Sequence, residues 1–395
     1  MNARLPLAAA LLAAALAAPA ARGEEGPPPA PAPDPARPVR EAWAAVKDAL
    51  EGIRAVEFDR DPVKLRSAQA AHGAAQERFR EVFEGADWGA LDAVRDREAL
   101  GAGLMAVGVA AAARGDGRTA VRAYEAVLAR LPGERFARSV SIRNLPEAYL
   151  LAGDVARAEA QWAKHAADPE PAVAAEVQVS LGDLHAARGD LGAARVAWTK
   201  AAAAKVADVR RDPAAGARQD AEARLALVGH PAPGIEAKAW LGGEPTPLPA
   251  HKGSVVLVDF WATWCRPCLE SMPALDRLRA ERGKEGLAVL GVTRAYAQGF
   301  LPREGTKDPA SDGRALRDLT EETFQDHLRA YREATGIAYP FLTAAPADFD
   351  RWRIRAIPTL FLLDREGRVA LVRTGSGDGP LLRLALDRLL REGKR

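Results

Sequence analysis

The sequence predicts a multidomain protein, in which an all-α helical-repeat domain precedes an α/β domain. Three observations support this fold class. Residues 39–227 are rich in alanine, place apolar residues at helical spacing and contain almost no strand-like runs. Within this region a glycine–aspartate pair recurs at nearly regular intervals. Further on, the apolar run Val255–Phe260 reads as a strand followed by a helix, and residues 355–369 read as loop, strand, tight turn and strand.

Residues 1–23 have the pattern of an export signal. Arg4 gives a basic start, Leu5–Ala18 a short apolar run and Ala21–Gly23 a small-residue cleavage site. The apolar run is too short to predict a transmembrane helix, so no membrane-spanning segment is expected after cleavage. We therefore expect a periplasmic or secreted protein. Residues 24–38 are dominated by proline, alanine and acid and are predicted to be an extended linker.

The charge balance argues against nucleic acid as a partner. The chain has 55 basic and 53 acidic residues, and residues 1–23 contain two arginines and no acid, so the remainder is neutral with histidine uncharged. No basic run or aromatic stripe interrupts this neutrality. Binding to nucleic acid or to an acidic membrane surface is therefore not expected.

A motif occurs three times in the helical region. Gly115, Gly153 and Gly189, spaced 38 and then 36 residues apart, are each followed by aspartate. Five residues after each glycine comes alanine, and an aromatic residue follows four residues later. The alanines are Ala120, Ala158 and Ala194, and the aromatic residues are Tyr124, Trp162 and Trp198. This spacing predicts helical hairpins: glycine–aspartate ends one helix and caps the next, alanine permits close packing, and the aromatic ring fills the groove.

The repeated pattern resembles tetratricopeptide repeats, whose period is about 34 residues. Residues 39–227 are accordingly predicted to be a domain of this type. The alternative is an ordinary helical bundle with coincidental spacing, since alanine-rich helices match alanine positions easily. In the middle copy, Pro146 replaces an expected small residue, which predicts a shortened first helix.

The chain has two cysteines, Cys265 and Cys268, which follow the strand-like run directly. Zinc needs four ligands, and neither a second cysteine pair nor suitably spaced histidines are present. A structural disulfide across so small a loop would constrain little of the unfolded chain. The pattern therefore favours a dithiol that cycles between reduced and oxidised states, with no metal and no other cofactor.

The position of each residue in this motif predicts its role. A helix N-terminus has free N–H groups and a partial positive charge that stabilise a thiolate. Cys265 is therefore the expected exposed nucleophile, and Cys268, one turn further along, the resolving thiol. Arg266 adds a permanent cation that favours the thiolate of Cys265. Pro267 lacks a backbone N–H, a loss that is tolerated at a helix start.

Two further positions have two interpretations each. Asp259 lies in the apolar run six residues before Cys265. It is either a solvent-facing residue at the end of a strand or a buried carboxylate that moves protons for Cys268. Pro358 is either a proline that begins a strand in the ordinary way or a cis proline.

The motifs together resemble a thioredoxin-fold domain. Residues 258–268, then Met272–Leu275, Ile357–Thr359 and 361–367 carry this resemblance. More narrowly, residues 229–395 are similar to the TlpA/ResA group of exported thiol–disulfide oxidoreductases. The resemblance implies that Cys265 attacks, that Cys268 resolves, and that Pro358 is a cis proline packed beside the disulfide.

The resemblance also implies a substrate surface and partners. The residues expected to contact substrate are Trp264, Arg266, Pro267, Ile357 and Thr359, with the backbone of Ile357 pairing with the substrate chain. The expected partners are disulfide-containing client proteins and an electron donor, either a thioredoxin-like protein or a membrane reductase. The sequence departs from the group at Asp259, where asparagine is more frequent, and in residues 294–319, which read as a polar, loop-rich insertion.

The leading functional hypothesis is an exported protein disulfide reductase whose helical repeats bind clients or partners. One alternative is a peroxidase-like redoxin, a class that usually places a threonine and a proline ahead of its cysteine. Here Thr263 is one residue too close and no proline precedes it. The other alternative is a repeat-based binding protein with a redox-sensing domain. The direction of electron flow stays open, because Arg266 favours an oxidising disulfide whereas Pro267 is familiar from reductases.

Overall fold

The computed structural model describes residues 34, 36–57, 62–85, 94–204, 212–306, 308–310, 312–375 and 378–392. The predicted export signal and most of the predicted linker lie outside these described residues. In the described part of the chain, no helix has the length and apolar character needed to cross a membrane.

Helices occupy the described chain up to residue 227. They are α1 (Arg37–Glu57), α2 (Pro62–Gly85), α3 (Arg97–Ala113), α4 (Gly117–Arg130), α5 (Arg135–Leu151), α6 (Val155–His165), α7 (Pro171–Ala187), α8 (Leu191–Ala202) and α9 (Ala215–Leu227). Helix α1 begins two residues before the predicted start of the helical domain at Val39. The limits assigned to the domains otherwise stay predictions.

The three glycine–aspartate pairs form the same turn between α3 and α4, α5 and α6, and α7 and α8. Gly115, Gly153 and Gly189 have φ angles of 78°, 82° and 90°, which glycine adopts without steric strain. The aspartate after each glycine accepts a hydrogen bond, at 2.9 to 3.1 Å, from the backbone N–H three residues further on. The predicted alanines and aromatic residues are all buried. The predicted turn and cap geometry is confirmed, whereas membership of the tetratricopeptide class stays a prediction.

The predicted shortening of the middle repeat is wrong. Pro146 lies inside α5, which has 17 residues, as do α3 and α7. A proline inside a helix removes one hydrogen-bond donor and usually bends or ends the helix. Here the neighbouring side chains of Leu145 and Tyr149 are buried with Pro146, and their packing keeps the segment helical.

The C-terminal part is a mixed sheet covered by helices, which confirms the predicted α/β domain. Its strands are β1 (Ala237–Leu241), β2 (Val255–Phe260), β3 (Leu287–Thr293), β6 (Phe341–Ala344), β7 (Thr359–Leu363) and β8 (Val369–Thr374), and its helices are α10 (Arg266–Arg282), α11 (Glu321–Thr335), α12 (Pro346–Arg351) and α13 (Pro380–Glu392). The strand order is β1-β6-β3-β2-β7-β8. Strands β2, β3 and β6 are parallel, and the others are antiparallel to their neighbours. Strand β2, buried along its whole length, lies inside this sheet.

The insertion at residues 294–319 contains more regular structure than its sequence predicts. A two-stranded hairpin forms from β4 (Gly299–Pro302) and β5 (Gly313–Leu316). The backbone N–H of Leu319 donates to the carbonyl of Ala297 at 3.1 Å and closes the base of the insertion. Two glycines of the insertion, Gly299 and Gly313, are strand residues here, and a Cβ at Gly313 would lie 2.3 Å from the carbonyl oxygen of Leu301.

A buried ion-pair network joins the helical region to the sheet. Arg224 on α9 donates to both carboxylate oxygens of Asp183 on α7, at 2.7 and 3.1 Å, and to the carbonyl of Val372 on β8, at 3.1 Å. The next residue on β8, Arg373, reaches Asp183 at 3.4 Å and Glu147 on α5 at 2.6 Å. Removing one member of such a buried pair costs about 3–5 kcal/mol. The network therefore holds the β8 side of the sheet against the helices.

Apolar packing reinforces this junction. Helix α13 packs against α5 and α7, and one continuous core contains side chains of both regions, from Trp162 and Trp198 to Trp261. Buried apolar side chains from the first part of the chain, Ala36 to Ala137, form a second, smaller core. The loop between β2 and α10, residues 261–265, contains Cys265 and is called the redox loop below. It thus belongs to a domain that is packed firmly against the helical repeats.

Candidate active site

The site begins where β2 ends and α10 starts. Cys265 is the N-cap residue of α10, and its Sγ accepts a hydrogen bond from the backbone N–H of Cys268 at 3.3 Å. The two cysteines form a disulfide with a Cα–Cα distance of 5.3 Å. Cys265 is 5% exposed and Cys268 is 0% exposed. Cys265 is therefore less exposed than the sequence suggested, but it is the more exposed residue of the pair.

The loop before β7 covers Cys265. The Ile357–Pro358 peptide bond is cis, so the second interpretation of this proline is correct. The carbonyl oxygen of Ile357 lies 3.6 Å from the Sγ of Cys265, while the carbonyl of Pro358 accepts from the N–H of Gly375 at 2.9 Å. Within the described residues, the backbone N–H of Ile357 has no hydrogen-bond partner. An open backbone position therefore lies next to the Sγ of Cys265.

The other residues expected to contact substrate differ in accessibility. Trp264, Arg266 and Pro267 are exposed around Cys265. The ring of Trp264 packs edge-on against Tyr296 at a centroid distance of 5.4 Å. Thr359 is buried, and its hydroxyl donates to the carbonyl of Ala356 at 2.8 Å. This hydrogen bond directs the hydroxyl of Thr359 towards its own loop. A contact between Thr359 and substrate therefore stays a prediction.

Asp259 is fully buried, which excludes the solvent-facing interpretation. The hydroxyl of Tyr339 donates a long hydrogen bond, 3.5 Å, to its Oδ2, and its Oδ1 has no partner among the described groups. Burial raises the pKa of Asp259 from 3.8 to about 7. The opposite residue on β3 is Gly291, where a Cβ would lie within about 3 Å of Trp261 and Tyr339. The absence of a side chain there makes room for both rings.

A buried histidine beside the redox loop was not anticipated. The Nε2 of His327 lies 2.8 Å from the Oγ1 of Thr263, and both side chains are buried. Burial lowers the pKa of His327 to about 4, so the ring is neutral near pH 7. Phe324, His327, Leu328 and Tyr331 share the buried face of α11. This helical spacing is visible in the sequence and indicates that the face is buried. The sequence does not show that Thr263 is the partner of the histidine.

No metal centre is evident. In the part of the chain that the structure describes, three or more His, Cys, Asp or Glu side chains nowhere gather in a way that could hold a metal ion. The expectation that the chain needs no metal and no separate cofactor stays a prediction.

Comparisons with known proteins agree with this geometry. Residues 228–372 match the model of the AhpC/TSA family. Thioredoxin-like protein YneN of Bacillus subtilis (strain 168) is 28% identical over 148 residues, which cover 38% of this chain and 72% of YneN. Thiol-disulfide oxidoreductase ResA of Halalkalibacterium halodurans is 26% identical over 136 residues, 34% of this chain and 62% of ResA. Protein DipZ of Mycobacterium bovis is 29% identical over 160 residues, 39% of this chain but only 20% of DipZ.

The buried carboxyl of Asp259 predicts a pH-dependent stability. Because its pKa rises from 3.8 to about 7 on folding, the folded protein binds this proton more tightly than the unfolded chain does. The stability that this group contributes is fully present below pH 3.8 and is lost as the pH rises to about 7. The loss should amount to about 4 kcal/mol.

Denaturant unfolding of the oxidised protein between pH 4 and pH 8 measures this effect when the wild type is compared with Asp259→Asn. We expect the wild type to lose stability relative to the variant across this interval. A constant difference between the two proteins would contradict the assignment.

Proposed function

We propose that this chain, whose residues 228–372 form a thioredoxin-like domain of the AhpC/TSA family homologous to YneN and ResA, is a thiol–disulfide oxidoreductase that reduces client proteins. The observation that carries this proposal is the position of Cys265, the N-cap residue of α10 and the more exposed of the two cysteines, beside the open backbone of Ile357. The names thioredoxin-like protein and thiol-disulfide oxidoreductase borne by relatives support the same reaction class.

The reaction proceeds by two exchanges. In the reduced protein, the Cys265 thiolate attacks one sulfur of the client disulfide, and the other client sulfur leaves as a thiolate that takes up a proton. Cys268 then loses its proton and attacks the Sγ of Cys265, which releases the second client thiol. The client disulfide gains two electrons, and the Cys265–Cys268 pair is oxidised to the disulfide seen in the structure. A dithiol electron donor resets the pair.

Asp259 is proposed to accept the proton of Cys268. A buried carboxyl with a pKa of about 7 exists in both protonation states near neutrality, and a proton acceptor works best when its pKa is close to the working pH. The oxygen Oδ1 has no partner among the described residues and is free for this exchange.

The backbone of Ile357 is proposed to pair with the client chain. Its carbonyl oxygen lies 3.6 Å from the Sγ of Cys265, and its N–H has no hydrogen-bond partner in the described part of the chain. An extended client segment that pairs with this residue would place its own sulfur beside Cys265. Trp264, Arg266 and Pro267 form the exposed rim of this contact.

The reaction is proposed to take place outside the cytoplasm. The export pattern of residues 1–23 supports this location. A reductase in a compartment that favours disulfides needs a continuing source of electrons. We therefore propose a thioredoxin-like protein or a membrane reductase as the donor.

Single-turnover assays test the chemistry. Prereduced protein, freed of other reductants, is mixed with a fluorescent disulfide peptide. Cys265→Ser should react no faster than the uncatalysed mixture, because the attacking thiolate is missing. Cys268→Ser should stop at the mixed disulfide, which mass spectrometry detects as a covalent adduct of one peptide half. Wild-type turnover by Cys265→Ser would refute the proposal.

A parallel reaction with hydrogen peroxide tests the peroxidase-like alternative. The hydroxyl of Thr263 is already hydrogen-bonded to His327, which argues against its use on a peroxide. We expect peroxide to oxidise the reduced protein far more slowly than the peptide does. A faster reaction with peroxide would favour the alternative.

The helical repeats are proposed to bind the client. A groove of about 690 Å³ lies between α1, α2, α3 and α5. Two large apolar side chains on its rim are unusually exposed: Phe136 at 75% and Val109 at 52%. Exposed apolar side chains around a groove suit the apolar segments that an unfolded or flexible client presents.

Exposed valines provide a matched test of this binding role. Val109→Ser should lower kcat/KM for a disulfide-bonded protein such as insulin by about fivefold, because client burial of the methyl groups is lost. The rate with a small disulfide should stay the same. Val196 on α8 is 57% exposed and does not line the groove, so Val196→Ser is the control. Equal effects of the two substitutions would contradict a specific role for the groove.

A further inference from the structure

The hairpin β4–β5 is fixed against the redox loop. Its first residue, Gly299, lies on the buried Thr263–His327 pair: a Cβ there would be 2.5 Å from the Nε2 of His327 and 3.1 Å from the Oγ1 of Thr263. Only glycine permits this approach without displacing the pair. The hairpin is therefore held at a defined distance from the start of α10.

A cavity of about 300 Å³ lies between the hairpin and the redox motif. The redox side contributes Thr263, Trp264, Arg266 and Leu269, and two of these, Trp264 and Arg266, are the chain neighbours of Cys265. The insertion contributes the opposite wall, from Gln298 to Phe300 and from Ala315 to Arg317. A client residue next to the attacked cysteine would therefore lie near this space.

The charged groups that line the cavity are two arginines, Arg266 and Arg317, and no acid accompanies them. Arg266 pairs with Glu270 at 2.8 Å, but both side chains are mostly exposed and four residues apart on one helix. Such pairs are weak and readily exchanged. Among the described residues, Arg317 has neither an ion-pair nor a hydrogen-bond partner, and its side chain is exposed. The cavity beside Trp264 and Arg266 therefore offers an uncompensated positive charge.

We propose that this cavity binds a carboxylate carried by the substrate next to its reacting cysteine. This inference rests on the proposed function and names its substrate class: disulfides flanked by an acidic group. Arginine can donate two parallel N–H hydrogen bonds to a carboxylate. Arg317 supplies this pair of donors, while the backbone of Ile357 aligns the client chain. The exchange reaction itself is unchanged; the carboxylate positions the sulfur that Cys265 attacks.

Such a carboxylate has two sources, an acidic residue of a polypeptide or the carboxyl groups of a small thiol. The first arm of the test compares disulfide peptides that differ only beside the cysteine, which carries Glu, Gln or Lys. The second arm compares glutathione disulfide with its carboxyl-esterified form. Each arm uses the full-length reduced protein in single-turnover reactions at low salt.

The variants are Arg317→Glu, Arg317→Ala and, as the control, Arg314→Glu. Arg314 lies on β5 of the same hairpin, is exposed and does not line the cavity. The control therefore changes the net charge equally and leaves the cavity intact. Far-ultraviolet circular dichroism and melting temperature verify that each variant is folded.

We expect the wild type to prefer the Glu peptide over the Gln peptide by about fivefold to tenfold in the second-order rate constant, the size of one ordinary hydrogen-bonded contact at an exposed site. Arg317→Ala should abolish this ratio, Arg317→Glu should turn it in favour of the Lys peptide, and Arg314→Glu should keep it. A preference dependent on Arg317 in the peptide arm assigns the site to polypeptides. The same dependence in the glutathione arm alone assigns it to small thiols.

The proposal is overturned if Arg317→Glu keeps the wild-type ratios in both arms. It is also overturned if Arg314→Glu shifts the ratios as much, because the general field of the hairpin would then be responsible. Failure of the proposed function looks different: no peptide would be reduced at all, whatever its flanking charge.

Discussion

The redox site depends on the junction between β2 and α10. Strand β2 is buried and hydrogen-bonded to β3 on one side and β7 on the other, so the position at which it ends is fixed. Helix α10 starts six residues after the strand ends, with Cys265 as its N-cap. The sulfur consequently lies at the positive end of the helix, where free N–H groups stabilise a thiolate. A shift of this start by one residue would rotate the sulfur away from the loop before β7.

The same junction brings together two motifs that are far apart in the chain. In the antiparallel pairing of β2 with β7, Phe260 lies opposite Thr359. The residues just beyond these two, the redox loop and the loop of Pro358, must therefore meet at one edge of the sheet. This pairing sets the 3.6 Å approach of Ile357 to Cys265. The buried network around Asp183 and the packing of α13 against α5 and α7 hold this domain on the helical repeats.

Signals that act over a few residues could be interpreted from the sequence. The glycine–aspartate turns, the helix that starts at the cysteines and the two strands around Pro358 all follow from local conformational preferences. Long-range contacts could not be interpreted in this way. The hydrogen bond of Tyr339 to Asp259 and the pair of His327 with Thr263 depend on how distant elements pack. Pro146 stays helical for the same reason, because packing on α5 outweighs the local cost of proline, which is all that the sequence shows.

The proposed mechanism requires Cys265 to be the activated nucleophile of the pair. The reduced protein can be alkylated with iodoacetamide at graded pH, and peptide mass spectrometry can follow Cys265 and Cys268 separately. We expect Cys265 to react first, with a midpoint below the ordinary thiol pKa of about 8.5, while Cys268 reacts more slowly. Equal labelling of the two cysteines, or a midpoint for Cys265 at or above that value, would contradict it.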